Sequence, residues 1–276
     1  MNAYFDHERL RVYGQSIKFV LWATDLLERI PKHLSVWDQL ERAASSIPLN
    51  IAEGNGKFTA PDRCSSFDNA RGSALECAAC LDVLSARRHA NDSQCLDGKE
   101  SLRGIVSMLV GLIRSNSPDR LHEGEVEYRF DELKAAEAKP DVFCFDHEKL
   151  KVYQKSLTFI RSTAEFLEAP PRNLPVWSKL DRASTAIPLG LAEGNGKFTP
   201  ADRCRFFDRA RSSAFECAAA LDILFAKNQI GEREANAGKV SLQEVVSMLV
   251  GLIRSNSPDR IHEESAPYSL CPGKRD

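Results

Sequence analysis

Apolar residues recur at steps of three and four positions along most of this chain, which is the spacing of one face of an α-helix. Four such stripes follow one another in the first half of the chain. No segment shows the alternation typical of a strand, so we expect an all-α protein. The predicted core positions are Leu10, Tyr13, Ile17, Val20, Thr24 and Leu27; Trp37, Leu40, Ala44, Ile47 and Ile51; Phe67, Ala70, Ala74, Cys77, Leu81 and Leu84; and Leu102, Ile105, Val106, Leu109, Leu112 and Ile113.

Capping and breaking residues predict where these helices begin and end. Ser35 suits the N-cap of the second helix, and Thr59 suits the N-cap of the third. The segment from Gly54 to Gly56 should end the second helix, because glycine tolerates the left-handed conformation common at helix C-termini. Pro48 lies inside the second helix without a backbone N–H, so we expect a kink or a break there.

The second half of the chain repeats the first. Phe5-Asp6-His7-Glu8 returns as Phe145-Asp146-His147-Glu148, and the register holds without an insertion to Glu123. Of these 119 aligned positions, 67 carry the same residue 140 positions further on. A repeat of this length predicts a whole domain in each copy rather than one unit of a solenoid.

Four amphipathic helices joined by short loops bury their apolar stripes best as an up-down-up-down bundle. We therefore predict two tandem four-helix bundles, at residues 1–123 and 143–264. Residues 124–142 are rich in Glu, Lys and Ala and predict a helical linker. Residues 265–276 contain two prolines and a glycine and predict a flexible tail.

The helices carry more apolar surface than one bundle can bury. On the third helix Leu75, Ala79 and Val83 form a second stripe away from the core. A helix that is apolar on two sides is normally covered on both, so we expect an interface between the bundles, between chains, or both. The alternative is a wide apolar face tolerated at the surface. The other predicted interface residues, on the second, third and fourth helices of the two copies, are Arg42, Leu49, Glu53, Ser107, Gly111, Arg182, Leu189, Glu193, Phe215, Ala219, Ile223, Ser247 and Gly251.

Composition and charge exclude several classes of protein. The chain is 43% hydrophobic and 28% charged, as ordinary globular proteins are. Its net charge of −2 offers no overall attraction to the phosphates of nucleic acids. The apolar runs are far shorter than the roughly 20 residues that cross a bilayer, and residues 1–6 lack the pattern of a secretory signal. We expect a cytoplasmic protein that does not bind membranes.

Candidate chemistry is weak at each place where it could be sought. Cys77-Ala78-Ala79-Cys80 has the spacing of a redox or zinc motif, but the second copy has Ala220 in place of the last cysteine, which favours buried thiols. His7 and His147 each precede a glutamate, a pair that is more often solvated than catalytic. Residues 53–59 contain a Gly-Lys pair but connect two helices, which favours a turn over a phosphate loop, with weak anion binding as the alternative. We expect no enzymatic activity and no cofactor, metal or small-molecule ligand.

Basic residues cluster at the start of the third helix of the second copy. Acidic residues lie among them, so a helix surface of ion pairs is the favoured interpretation and a nucleic-acid site is the alternative. The residues of this weak candidate site are Lys57, Lys197, Arg203, Arg205, Arg209 and Arg211.

Three segments of the first copy support a family resemblance. They are Phe5-Asp6-His7-Glu8-x-Leu10-x-Val12-Tyr13, Ser46-Ile47-Pro48-Leu49-Asn50-Ile51-Ala52-Glu53-Gly54, and Arg63-x3-Phe67-x2-Ala70-x2-Ser73-Ala74-x-Glu76. With them the chain resembles the bacterial four-helix bundle family known as the 23S rRNA intervening sequence proteins, over nearly the whole of both copies. The second copy departs from the pattern with Ala186, Gly190 and Leu191.

The resemblance implies a four-helix bundle without an assigned activity, since most members of the family have none. Some members are encoded within insertions in ribosomal RNA genes. A related group, the accessory proteins of diversity-generating retroelements, forms a ring of such bundles, binds nucleic acid through a basic surface and meets a reverse transcriptase. This chain is nearly neutral, so we expect it to share the oligomeric assembly of those relatives more than their binding of nucleic acid.

Our leading hypothesis is a non-enzymatic, self-associating scaffold or adaptor. The alternative is an accessory protein that binds RNA or DNA. Because bundles come in fused pairs, a single ring with an odd number of bundles is excluded. We expect an even number of bundles in each assembly, or two stacked rings.

Overall fold

The structure is a computed structural model that describes residues 4–117, 144–168 and 174–257. Within these ranges all regular secondary structure is helical, which confirms the predicted all-α class. The predicted linker at 124–142 and tail at 265–276 lie outside the described residues. The eight α-helices are α1 (Arg11–Leu27), α2 (Ser35–Gly56), α3 (Ala60–Ala86), α4 (Asp92–Asn116), α5 (Lys151–Glu168), α6 (Pro175–Gly196), α7 (Pro200–Ala226) and α8 (Glu232–Asn256).

The helices form two four-helix bundles, α1–α4 and α5–α8. In each bundle consecutive helices pack together and the first helix closes against the fourth. This is the arrangement expected for antiparallel helices joined by short connections. A 3-10 turn precedes each bundle, at Asp6–Arg9 and at Asp146–Lys149. Among the described residues no helix is long and apolar enough to cross a membrane.

The core is made of the predicted stripes on α2, α3 and α4, whereas the prediction for α1 is wrong at two of its six positions. Ile17 and Thr24 are exposed, and the core face of α1 instead contains Val12, Phe19 and Ala23. Helix α1 has two apolar stripes side by side, so periodicity alone could not decide which one faces inward. The predicted stripe includes Tyr13, whose counterpart on α5, Tyr153, contacts the other bundle.

The N-termini of α2 and α3 are capped in different ways. Thr59 caps α3 as predicted and accepts a hydrogen bond of 3.3 Å from the amide of Asp62. Ser35 was predicted to cap α2, but it is the first helical residue and Leu34 occupies the N-cap position without a side-chain cap. The amide of Ser35 donates instead to Asp181 of the second bundle, at 2.7 Å. The free N–H groups of a helix start are thus partly satisfied by the other bundle.

The segment from Gly54 to Gly56 ends α2 as predicted, but the left-handed conformation predicted for it is wrong. Helix α2 continues to Gly56, and no described glycine has a positive φ. A Cβ atom on Gly54 would lie 2.7 Å from the Phe67 ring, so this glycine permits close packing of α2 on α3. The helix also runs through Pro48 without a break.

Candidate functional site

The two bundles pack against each other, chiefly through α3 of the first bundle. Helix α3 contacts α5 and α6, and α2 also contacts α6. The structure places Leu75, Ala79 and Val83 in this junction as fully or almost fully buried residues. Leu75 reaches the backbone at Gly196, the last residue of α6. The second apolar face of α3 is therefore covered within the chain.

The corresponding positions of the two copies differ sharply in exposure. Leu75 is 4% exposed and Val83 0%, whereas their counterparts on α7, Phe215 and Ile223, are 52% and 44% exposed. On the other side of the junction the relation is reversed. Leu189 of α6 is 4% exposed, but its counterpart Leu49 of α2 is 68% exposed.

A lysine joins the two bundles at one end of the junction. Lys99 of α4 lies with its Nζ atom 3.0 Å from Glu148 of the second bundle and also pairs with Asp82 of α3. The hydroxyl of Tyr153, on α5, donates to the other oxygen of Asp82 at 2.7 Å. Burial opposes the charge on Lys99, but the two carboxylates outweigh it and raise the pKa of the lysine. The lysine is therefore charged at neutral pH, while burial also raises the pKa of its partner Glu148.

Within residues 4–117, 144–168 and 174–257, the group of side chains that comes nearest to a metal site also lies at this end of the junction. Asp82, His147 and Glu148 place one ligand atom each within 4.8 Å of one another. Burial, and to a lesser degree Lys99, lowers the pKa of His147 to about 3, so its imidazole is neutral. The Lys99 ammonium already lies against both carboxylates, so the chain supplies the cation itself. The arrangement is that of a structural ion-pair cluster.

An arginine and an aspartate form a second buried pair near the start of α2. Arg87, at the end of α3, pairs with Asp181 of α6, and its side chain is wholly inaccessible to water. Arg87 also donates to Thr185 at 3.2 Å. Asp181 is the residue that accepts the amide hydrogen bond of Ser35. One carboxylate thus connects two helices of the first bundle to the second.

The opposite end of the junction is held by contacts at the α6–α7 connection. Arg71 donates to the backbone carbonyl of Gly196 and stacks over the Phe198 ring, 4.2 Å from its centre. Lys197 lies 3.2 Å from Asp68, which also accepts from Arg71. Cationic groups over aromatic rings and paired with carboxylates are favourable when they are shielded from water.

Two glutamates meet in the middle of the junction. Glu76 of α3 and Glu193 of α6 are hydrogen bonded to each other, and both are partly buried. Burial, reinforced by the neighbouring carboxylate, raises the pKa of Glu76 to about 8, and burial raises the pKa of Glu193. Two carboxylates this close cannot both ionise easily, so the pair holds one proton at neutral pH.

Several predicted interface residues lie outside this junction or, as Arg42 does beside Glu76, at its edge. On α2, Arg42 is exposed and pairs with Asp38 at 3.5 Å, and Glu53 pairs with Lys57 at 2.8 Å. Arg182 of α6 is exposed. In the part of the chain that the structure describes, α4 and α8 pack only on helices of their own bundle. Their small residues are partly or fully exposed; these are Ser107, Gly111, Ser247 and Gly251.

The basic residues of the candidate nucleic-acid site are divided among local contacts. Lys197 belongs to the junction and Lys57 pairs with Glu53. Arg203 donates to the carbonyl of Lys197 at 2.7 Å, and Arg205 lies 3.7 Å from Asp202. The two remaining members are Arg209, which stacks over Phe206, and Arg211, which is partly exposed.

The cysteines and the grooves offer little that resembles an active site. The seven cysteines among the described residues are free and buried, and burial raises the pKa of Cys77 and Cys80. A surface groove between α5 and α8 is lined mostly by hydroxyl groups and small residues, with Glu234 as its ionisable group. Another groove, between α1 and α4, contains Arg11 and Glu100.

Of the charged residues of the junction, Glu193 was predicted at an interface and Lys197 only at a nucleic-acid site. The others were missed because polar residues on helices are usually solvated. A usable sign was their recurrence in both copies. Asp82 and Lys99 correspond to Asp222 and Lys239 in the second copy, and Glu148 and Tyr153 correspond to Glu8 and Tyr13 in the first. Their positions on different helices gave no reason to group them before the fold was known.

Comparison with known proteins agrees with the duplicated bundle. A model of the family described as 23S rRNA-intervening sequence protein matches residues 8–111 and, a second time, residues 148–251. No curated protein and no solved structure gives a significant match. The two family matches cover most of the chain and fall on the two bundles, as the resemblance of the sequence motifs implied. The chain therefore belongs to the 23S rRNA-intervening sequence protein family and carries the family's domain twice.

Proposed function

We propose that this chain is a non-enzymatic scaffold of the bacterial cytoplasm that acts by associating with further copies of itself. The observation that carries the proposal is the difference between the two third helices. The apolar face of α3 is buried by a neighbouring bundle, whereas the equivalent face of α7 is exposed. A domain that uses this face once within the chain has a second such face available.

The size of the exposed side chains supports the proposal. Phe215 and Ile223 are exposed on one face of α7, Phe225 is exposed on another, and Leu49 and Phe58 are exposed at α2 and just after it. Single exposed apolar residues are common, but large ones grouped on one helix face mark interaction sites. Covering Phe215, Ile223 and Leu49 with another bundle would remove them from water, as happens to their counterparts Leu75, Val83 and Leu189.

The arrangement of ionisable groups supports a role without catalysis. The buried groups at the junction of the bundles are paired with one another: Lys99 with Asp82 and Glu148, and Arg87 with Asp181. None of these five residues lines either of the two surface grooves described above. Their role in the proposal is to fix how two bundles meet.

Binding of RNA or DNA is the alternative function, and the structure favours it less. A nucleic-acid site needs basic side chains that are available to phosphates along one surface. Here Lys57 and Arg205 face carboxylates, and Lys197 is engaged at the junction of the bundles. The formal net charge of −2 adds no long-range attraction.

The mass of the protein in solution tests the proposal. Light scattering coupled to gel filtration, over a hundredfold range of protein concentration, should give a mass above the 30.7 kDa of one chain. The mass should rise with concentration, because association follows mass action. A mass of one chain at every concentration would contradict self-association.

A further inference from the structure

We propose that chains join head to tail, with the α7 face of one chain bound to the α2 face of a second copy. We define the α7 face by Phe215, Glu216, Ala219, Asp222 and Ile223, with Lys239 beside it. The α2 face consists of Leu49, Glu53 and Phe58 with Glu8 and Tyr13 of the first-helix region. The inference rests on the proposed self-association and specifies its surfaces and its partner.

The junction inside the chain is the template for this contact. There the third helix of the first bundle packs on the first two helices of the second. The template uses the α3 face of the first bundle and the α6 face of the second. The equivalent faces, α7 of the second bundle and α2 of the first, are not used within the chain, and we call them the retained faces. Both retained faces are exposed, while their counterparts cover each other.

The lysine cluster of the template is already assembled in part on the retained faces. Lys239 pairs with Asp222 at 2.7 Å, as Lys99 pairs with Asp82. Glu148, the third member of the template cluster, corresponds to Glu8. The carboxylate of Glu8 accepts the amide of Tyr4 at 2.7 Å, which matches the bond from Cys144 to Glu148 at 2.8 Å. Glu8 is therefore oriented before any partner arrives.

The aromatic residues beside Glu8 are arranged in the same way in both copies. His7 stacks on Phe5 and meets Tyr13 edge to face, with ring centres 4.8 Å apart. His147, Phe145 and Tyr153 repeat this geometry, again with 4.8 Å between the histidine and tyrosine rings. In the second copy the tyrosine hydroxyl binds Asp82. Tyr13 is placed to offer the same hydroxyl to Asp222 of another chain.

The remaining contacts of the template are also conserved in type. Arg71, which stacks on Phe198, corresponds to Arg211, and Phe198 corresponds to the fully exposed Phe58. The protonated carboxyl pair corresponds to Glu216 and Glu53. Matching polar contacts of this kind favour one partner and one register.

One group of contacts is weakened in the repeat. Lys227 and Glu41 replace Arg87 and Asp181, which keeps the sign of each charge. Pro175 replaces Ser35 and has no amide hydrogen to donate to the acid. The contact between chains therefore lacks one hydrogen bond of the template and should be the weaker of the two.

The two joined faces are different, so the contact is heterologous. Each chain offers one α7 face and one α2 face, and chains can continue until the assembly closes or forms a filament. A symmetric contact between two α7 faces would bring the carboxylates of Glu216 and Asp222 from both chains into one interface and leave the α2 face uncovered.

Two blocking variants and their mixture test the proposal. Phe215→Asp blocks the α7 face and Leu49→Asp blocks the α2 face. Matched controls are Leu96→Asp and Leu21→Asp, whose side chains are 46% and 63% exposed and whose counterparts, Asn236 and Arg161, are exposed. All four variants should retain the circular dichroism of the wild-type chain, because each altered side chain is exposed.

The expected masses follow from the head-to-tail geometry. Each blocking variant alone should have the mass of one chain, while both controls assemble like the wild type. An equimolar mixture of the two blocking variants should give a complex of two chains and no larger species, since one intact α7 face then meets one intact α2 face.

Three results would overturn the proposal, and they separate it from the proposed function. If both blocking variants assemble like the wild type, self-association stands but uses other faces. If only Phe215→Asp loses assembly, the contact pairs like faces, and self-association again stands. If the wild type has the mass of one chain at every concentration, both proposals fail.

Discussion

Single charged residues decide how firmly the two bundles hold together. Lys99 and Arg87 are positioned against carboxylates of the second bundle where little water reaches them. A buried ion pair adds little net stability, but removing one partner leaves a charge buried without compensation. Variants at these positions should therefore have large effects, whereas the equivalent exposed residues should not.

Replacing Lys99 by alanine should lower the free energy of unfolding by about 3 kcal/mol, because Asp82 and Glu148 would be left unpaired. Lys239→Ala is the matched control. Its ion pair with Asp222 is exposed, so the cost should be about 0–1 kcal/mol. Urea unfolding at a concentration where the protein is a single chain measures both. Equal losses for the two variants would show that Lys99 does not act through the junction.

The carboxyl pair at the junction predicts a dependence on pH. The pKa of Glu76 is raised to about 8 in the folded chain, from an ordinary value of 4.5. The folded state thus binds a proton that the unfolded state releases. The stabilisation of the folded state by this proton is complete below pH 4.5 and is lost as pH rises to about 8. Arg42 near Glu76, and Lys197 and Arg209 near Glu193, reduce this loss because they favour the ionised carboxylates.

Glu76→Gln should therefore flatten the change in stability between pH 5 and pH 8 and raise stability at the upper end. The amide can still donate to Glu193 without a proton that titrates. Thermal unfolding followed by circular dichroism across this range is the measurement, with Glu28→Gln as an exposed control that keeps the wild-type slope. An unchanged slope in Glu76→Gln would refute the assignment of a shared proton.

At the scale of helices, close packing of α2 on α3 depends on one missing side chain. Gly54→Ala should destabilise the protein by about 1–3 kcal/mol, because the new Cβ would meet the buried Phe67 ring at 2.7 Å. Gly14→Ala is the matched control. Gly14 lies within α1 with no atom near its missing Cβ, so alanine should raise stability by up to about 1 kcal/mol. Chemical denaturation measures both, and a gain in Gly54→Ala would contradict the close packing.

The helices were predictable because their apolar periodicity is a local property. Where two apolar stripes run along one helix, as on α1, local pattern cannot choose between the core and an interface. Ser35 shows a second limit: its polarity predicted a cap for its own helix, but its amide binds Asp181, far away in sequence. The apolar part of the junction could be inferred from surplus hydrophobic surface on α3. Its ion pairs could not, because Lys99 and Glu148 meet only in the folded chain.

At the scale of the whole molecule, one contact between bundles is intramolecular. A contact within a chain operates at an effective concentration of about millimolar and does not weaken on dilution. A contact between chains follows mass action. Dilution should therefore separate chains but leave each pair of bundles joined, so the number of bundles in any assembly is even.

The two copies differ in surface charge, so such an assembly would alternate between two kinds of bundle surface. Arg205 and Arg209 on the second bundle correspond to Ser65 and Asn69 on the first. A row of chains would repeat these arginines at every second bundle, with neutral positions between them. A family member with a single bundle that forms a homo-oligomer must present the same side chains on every subunit, whereas gene duplication has given this chain a surface that can differ from one bundle to the next.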